Sequence, residues 1–223
     1  MLSLTGLGLA FSNFVFRLGN SNLFLSLFFA MLVSIILGMG LPTTVAYIVT
    51  ATSMSAAFTK MGLPALQAHM FLLYFACMSN ITPPVAIAAY TGAAIADAPP
   101  MKVGLESVRL GIVGFVVPYV FIYNPLILSW DFSSLTGTLD TLETLIAAVM
   151  LAWPLAYGIS GFTYRKLPVW QRLLYIAAAA LLILPYWYIN VPVMVIMLWD
   201  ILRTGKKEKE YELKYMNRYA PAQ

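Results

Sequence analysis

Apolar residues occur in long blocks along this chain, and the places where the blocks break are more informative than the blocks themselves. Residues 23–38, LFLSLFFAMLVSIILG, form an apolar run whose helix would rise only about 24 Å at 1.5 Å per residue, short for a hydrocarbon layer of roughly 30 Å. It ends at Gly38-Met39-Gly40-Leu41-Pro42. A second short run, 43–58, follows and carries Thr43, Thr44, Tyr47, Thr50, Thr52, Ser53 and Ser55. Two short helices around a Gly/Pro tip predict a re-entrant hairpin, which a bilayer tolerates where protein or a watery cavity covers the irregular backbone.

Residues 64–97 are longer than one straight span needs and contain their own interruption, Ser79-Asn80-Ile81-Thr82-Pro83-Pro84. Pro83 and Pro84 lack N–H donors, and proline disfavours helical geometry in the residue before it, so carbonyls one turn earlier lose their partners. The pattern predicts a crossing helix unwound near its middle. The following VAIAAYTGAAIA, rich in Ala and Gly, permits close backbone approach to a neighbour.

The next segments are spans at 102–128, with kinks at Pro118 and Pro125, and at 143–163, separated by a polar loop holding Asp131 and Asp140. Residues 173–202 are apolar but interrupted at Pro185 and Pro192. Thirty residues are too few for two full spans, so a bent pair of short helices turned around PYWYINVP is expected. The chain thus divides into 1–22, 23–58, 59–101, 102–128, 129–202 and a mixed-charge tail, 203–223. The first piece, broken by Gly6, Gly8, Ser12, Asn13 and Arg17, has no signal-peptide pattern and reads as the exit from a preceding membrane segment.

Composition makes the membrane assignment firm. The chain of 223 residues is 61% hydrophobic and 10% charged, against about 25% charged in soluble domains. Its mean hydropathy is +0.83. The fold class expected is an all-α polytopic membrane protein. The net charge of +4 does not indicate nucleic acid, because the basic residues gather at segment ends and in the tail, a pattern of topology. If 23–58 returns to its own side, Lys102, Arg165, Lys166 and Arg172 share one face, opposite Asp131, Asp140 and Glu143, and the basic face is cytoplasmic.

Candidate catalytic chemistry is sparse, and an enzyme is not expected. Cys77, alone, excludes an intrachain disulfide and a cysteine metal site. His69, the one histidine, reads as a packed or interfacial residue, Glu106 and Arg109 as a local surface pair, and Asp97 as a helix terminator. Tyr90, Tyr119, Tyr123, Trp187, Tyr188 and Trp199 read as interface anchors; Tyr47, beside the first break, is the aromatic expected to matter. No cofactor is expected.

The breaks themselves are chemistry. Half-helix N-termini present positive dipole ends and free N–H groups to an anion, while unwound carbonyls and half-helix C-termini coordinate sodium. Gly38 and Gly40 open the backbone, Pro42 suits the first turn of the next helix, and Thr43 and Thr44 add hydroxyls. Ser79, Asn80 and Thr82 supply oxygen donors, which a hard cation requires, beside Pro83 and Pro84. Broken re-entrant helices also line pores, so a channel-like or structural subunit is the alternative reading.

Four stretches carry a family resemblance: LTGLG at 4–8, GMGLPTTVAYIV at 38–49, SNITPPVAIAAYTGAAIA at 79–96 and KVGLESVRLGIVGFVVPYVFIYNPLIL at 102–128. They resemble the C-terminal half of the large membrane subunit of TRAP transporters, most closely those permeases in which small and large subunits are fused. The resemblance implies half of an inverted-repeat, elevator-type transporter in a bacterial or archaeal inner membrane. It would be driven by sodium as coupling ion and receive its solute, usually an organic acid, from a periplasmic solute-binding protein. Residues 23–58 would be the second hairpin of the mobile domain and 64–97 its partner broken helix. Gly38 to Thr44 and Ser79 to Pro84 would carry the ion site, with sodium near Gly38, Gly40, Thr44, Ser79, Asn80 and Thr82, and would face the substrate. The inverted N-terminal half and the small membrane subunit that the family pairs with this half are not in the sequence, which reads as a fragment or one piece of a split transporter.

Overall fold

The computed structural model describes residues 6–19, 22–163 and 165–219; the first two residues of the LTGLG motif and the last four of the tail lie outside the described residues. Among the described residues eleven α-helices follow one another, with no strand beyond an isolated bridge between Phe162 and Lys166. The chain divides into two units, one ending at Ser129 and one beginning at Trp130.

The first unit opens with α1, Leu7–Gly19, in the stretch whose glycines and polar residues suggested a broken exit. α1 packs against α2 and α3, with Ser12 and Val15 buried. α2, Leu23–Gly38, starts where the Asn22 side chain accepts the Leu25 N–H, and α3, Thr43–Lys60, starts after Pro42. Between them Gly40 has φ +77°, a left-handed conformation that favours glycine and lets the chain reverse in four residues. α4, Ala65–Met78, then packs on α2, α3 and α7.

A buried aromatic cluster fixes these helices. Phe58 of α3 and Phe71 and Phe75 of α4 are almost wholly buried, with ring centroids 5.5 Å apart for Phe58–Phe71 and 4.7 Å for Phe71–Phe75. Tyr119 of α7 meets Phe71 edge-on at 5.6 Å. Such pairs add about 0.5–1.5 kcal/mol each beyond area burial, and they set the depth at which α4 slides along α3.

After α4 the chain is non-helical until α5, Ile87–Ile95, which packs on α6, Pro100–Leu110. α6 and α7, Ile112–Tyr123, join at Gly111 as one stretch of 24 residues, long and apolar enough to cross a membrane. The expected span continued to 128, but α7 stops at Asn124, whose backbone leaves helical geometry, and Pro125 opens a single 3-10 turn, Pro125–Ile127. Pro118, expected as a kink, lies inside α7 and is buried.

In the second unit, α8, Leu135–Met150, and α9, Ala152–Ser160, form another stretch of crossing length, 26 residues. The expectation placed the start near 143 and Asp140 in a loop. The helix begins earlier because the Ser134 hydroxyl accepts the Gly137 N–H and caps it, which brings Asp140 and Glu143 into α8. α10, Val169–Leu181, and α11, Trp187–Tyr219, are separated by a turn ending at Tyr186. Pro185 lies in that turn, whereas Pro192 sits inside α11, beyond its first turn, and leaves the Tyr188 carbonyl without an N–H from that position. The tail from 203 to 219 continues α11 as helix.

A candidate ion and solute site at two helix breaks

Both interruptions lie in the first unit, and α2, α3 and α4 bring them into contact. Gly38, the last residue of α2, is buried against Ser79, the first residue after α4. A Cβ at position 38 would stand 2.7 Å from Ser79 Oγ and 3.4 Å from the Ala46 methyl. The fit requires glycine. The turn of the first break reaches the second a little further on, where a Cβ at Gly40 would lie 3.5 Å from Val85 Cγ1.

Polar side chains line this meeting point. The Asn80 amide donates to Thr43 Oγ1 at 3.4 Å and to the Cys77 carbonyl at 3.4 Å, bridging the first turn of α3 and the last turn of α4. The backbone carbonyl of Asn80 accepts the Ala88 N–H at 3.0 Å, tying the end of α4 to the first turn of α5 across the prolines. Ser79, fully buried, donates to the Ala76 carbonyl at 2.7 Å. Thr82 turns back to the Met78 carbonyl at 2.7 Å. Thr44 is exposed on the first turn of α3. Pro83 points toward α6, where a Cβ on Gly104 would stand 2.9 Å from its ring, and Pro83–Pro84 is a cis peptide.

Four helix ends thus assemble here, the C-termini of α2 and α4 and the N-termini of α3 and α5. The first pair carries partial negative charge in its last carbonyls and the second pair partial positive charge in its first N–H groups. Neither α3 nor α5 has a side-chain cap or an acidic residue in its first turn. Among the described residues no cluster of three or more His, Cys, Asp or Glu side chains forms. The donors available to a cation at the breaks are therefore carbonyls, hydroxyls and an amide.

Three residues absent from the sequence-derived set belong to this geometry. His69 Nδ1 is 2.9 Å from the Tyr47 hydroxyl, which joins α3 to α4 one turn from the first break. Ala86, fully buried, has φ +35° and ψ 54°, a left-handed conformation that costs an L-residue about 1–2 kcal/mol, and it starts α5. Ala88 donates its N–H to the Asn80 backbone carbonyl. A conformational cost carried by a buried alanine between two prolines and a half-helix is the kind of strain concentrated at functional sites. Nothing in the composition around Ala86 signals it.

α6 and α7 support the second break through glycines. Cβ atoms at Gly104, Gly111 and Gly114 would stand 2.9 Å from Pro83, 2.8 Å from Ile81 and 2.9 Å from Met78. Spaced seven and three apart, the three share one helical face, so the unwound segment lies directly on a helix backbone.

The family model of the tripartite ATP-independent periplasmic transporter DctM component matches residues 1–134. The chain belongs to this family. The matched region contains both breaks and the helices that hold them. No curated protein and no solved structure gives a significant match. The protein is therefore a membrane permease component of a TRAP transporter, from a family of transporter subunits rather than enzymes. TRAP permeases work with a periplasmic binding protein and a small membrane subunit.

Proposed function

We propose that this TRAP permease component carries one half of a sodium and solute site, in a binding-protein-dependent symporter for organic acids that works by an elevator movement in the bacterial or archaeal inner membrane. The observation that supports it is the Gly38–Ser79 contact, which joins two broken helices at their carbonyl ends. Sodium would be held by carbonyls and hydroxyls around Gly38, Gly40, Thr44, Ser79, Asn80 and Thr82. The N-termini of α3 and α5, neither with a side-chain cap, would meet the solute's carboxylate.

On this reading α2 and α3 form a re-entrant hairpin and α4 and α5 a crossing helix broken at Ser79–Pro84. Asn80 couples the two, because its side-chain amide faces Thr43 while its backbone carbonyl holds α5. An ion drawn to the carbonyl ends and an anion drawn to the N-termini would then stabilise one arrangement of the same four helix ends, which is what symport needs. The complementary half of the site would come from an inverted copy of this fold. The residues after 134 would be the additional C-terminal region of a fused permease.

The test is uptake by the complete assembly with its binding protein in proteoliposomes. Asn80→Leu and Thr44→Val should each reduce sodium-dependent uptake by about tenfold or more, the scale set by losing a hydrogen bond or ligand to a charged group. Unchanged sodium dependence in both variants would overturn the site. Conductance without the binding protein would favour the pore reading instead.

A further inference from the structure

The second unit contains a cavity of about 350 Å³ that belongs to neither break. It lies between α10, α11 and the residues Thr163, Arg165 and Leu167 that precede α10. We propose that it holds the phosphodiester headgroup of an anionic phospholipid, with the lipid's acyl chains running down the two helices beside it.

Two side-chain series carry the inference. Along the chain into α10 the lining runs Arg165, Trp170, Leu174; along α11 in the opposite direction it runs Arg203, Trp199, Ile196. Each series passes from guanidinium to indole to aliphatic side chain. The Tyr175 hydroxyl donates to Asp200 Oδ2 at 2.6 Å and holds the two helices at matching depth. That order is the cross-section of a bilayer interface, with charge at the headgroups, Trp at the boundary and aliphatic groups in hydrocarbon.

The electrostatics select an anion. Arg165 and Arg203 line the cavity against one carboxylate, Asp200, which is engaged by Tyr175. The Arg203 guanidinium lies over the Trp199 ring, 5.2 Å from its centroid, which orients it beside the boundary. A planar guanidinium matches two phosphate oxygens at once. The positive-inside assignment places this end of α10 in the cytoplasmic leaflet, where anionic lipids concentrate and basic pockets between membrane helices take their headgroups.

The exposed apolar groups distinguish a lipid from a free anion. Trp170, Trp199, Leu174 and Ile196 are each about 60% exposed in the chain alone, at 60%, 61%, 59% and 58%. A soluble phosphate would leave them uncovered. A phospholipid covers them while its headgroup occupies the polar end, and a phosphodiester with its glycerol is of suitable size for the cavity.

The experiment is lipid binding to the purified chain in mild detergent, by native mass spectrometry and thermal shift, with phosphatidylglycerol, phosphatidylcholine and inorganic phosphate as probes. The wild type should retain phosphatidylglycerol in preference to phosphatidylcholine and gain thermal stability from it. The double variant R165Q/R203Q should bind phosphatidylglycerol about thirtyfold more weakly, from about 1 kcal/mol per basic residue at an anionic surface. Lys206→Gln, which alters an exposed charge on α11 outside the cavity, should bind as the wild type does. The wild-type arm stands even where the double variant fails to fold. Equal retention of the two lipids by the wild type, displacement of the lipid by millimolar phosphate, or an equal loss in Lys206→Gln would overturn the proposal.

Discussion

Gly38 and Ser79, 41 positions apart, pack so closely that the only side chain position 38 accommodates is a hydrogen: a Cβ there would stand 2.7 Å from Ser79 Oγ and 3.1 Å from Ser79 Cβ. The hydroxyl has no room to withdraw without giving up its 2.7 Å bond to the Ala76 carbonyl. The contact therefore fixes the separation of the two helix breaks.

Gly38→Ala tests this contact. In an open helix the change would gain up to about 1 kcal/mol from propensity; here overpacking of about 1–3 kcal/mol opposes it. The expected net result is a lower unfolding midpoint and reduced uptake. Adding Ser79→Ala removes the hydroxyl but leaves Cβ, so it should recover part of the midpoint. A G38A variant as stable and active as wild type would show that the breaks move apart freely.

Position 86 gives a sharper comparison. Ala86→Gly relieves about 1–2 kcal/mol of left-handed strain but loses a buried methyl worth about 0.8 kcal/mol and adds unfolded-state freedom of about 0.5–1 kcal/mol. These nearly cancel, so the thermal midpoint should change little. Ala86→Val adds β-branching at φ +35° in a site with no exposed surface and should lower the midpoint and uptake markedly. Equal behaviour of the two variants would mean that α5 does not start from this conformation.

Asp131 sets a pH dependence at the entry to the second unit. Its Oδ1 accepts the Ser133 hydroxyl at 2.5 Å and the Ser133 N–H at 2.9 Å, and these bonds hold the carboxyl below the usual carboxylate range. A depressed folded pKa stabilises fully above the unfolded value near 3.9, and the contribution disappears as pH falls through the folded value. The midpoint difference between wild type and Asp131→Ala should be constant from about pH 7 to pH 5 and shrink below about pH 4. A difference that grows on acidification would reverse the sign of the shift and reject this role for Ser133.

Several elements were legible locally. The end of α2 at Gly38, the start of α3 after Pro42 and the non-helical segment beginning at Ser79 follow from glycine's freedom and proline's missing N–H, which act within a few residues. The later helices were less legible. α8 starts at Leu135 because one serine caps it, and a cap outweighs the polar character of Asp140 and Glu143. The 3-10 turn after Asn124 shortened a span that hydropathy alone extends to 128.

Sequence alone determined that this is a helical membrane chain with two polar breaks, because apolar block length and backbone chemistry are local properties. Only the tertiary structure decided that the breaks touch at Gly38 and Ser79, that Tyr47 reaches His69, that Ala86 carries a left-handed backbone, and that Arg165 and Arg203 line one cavity. Each depends on how far one helix slides and rotates against another. That register is set by the combined packing of side chains such as Phe58, Phe71 and Phe75, and no local pattern encodes it.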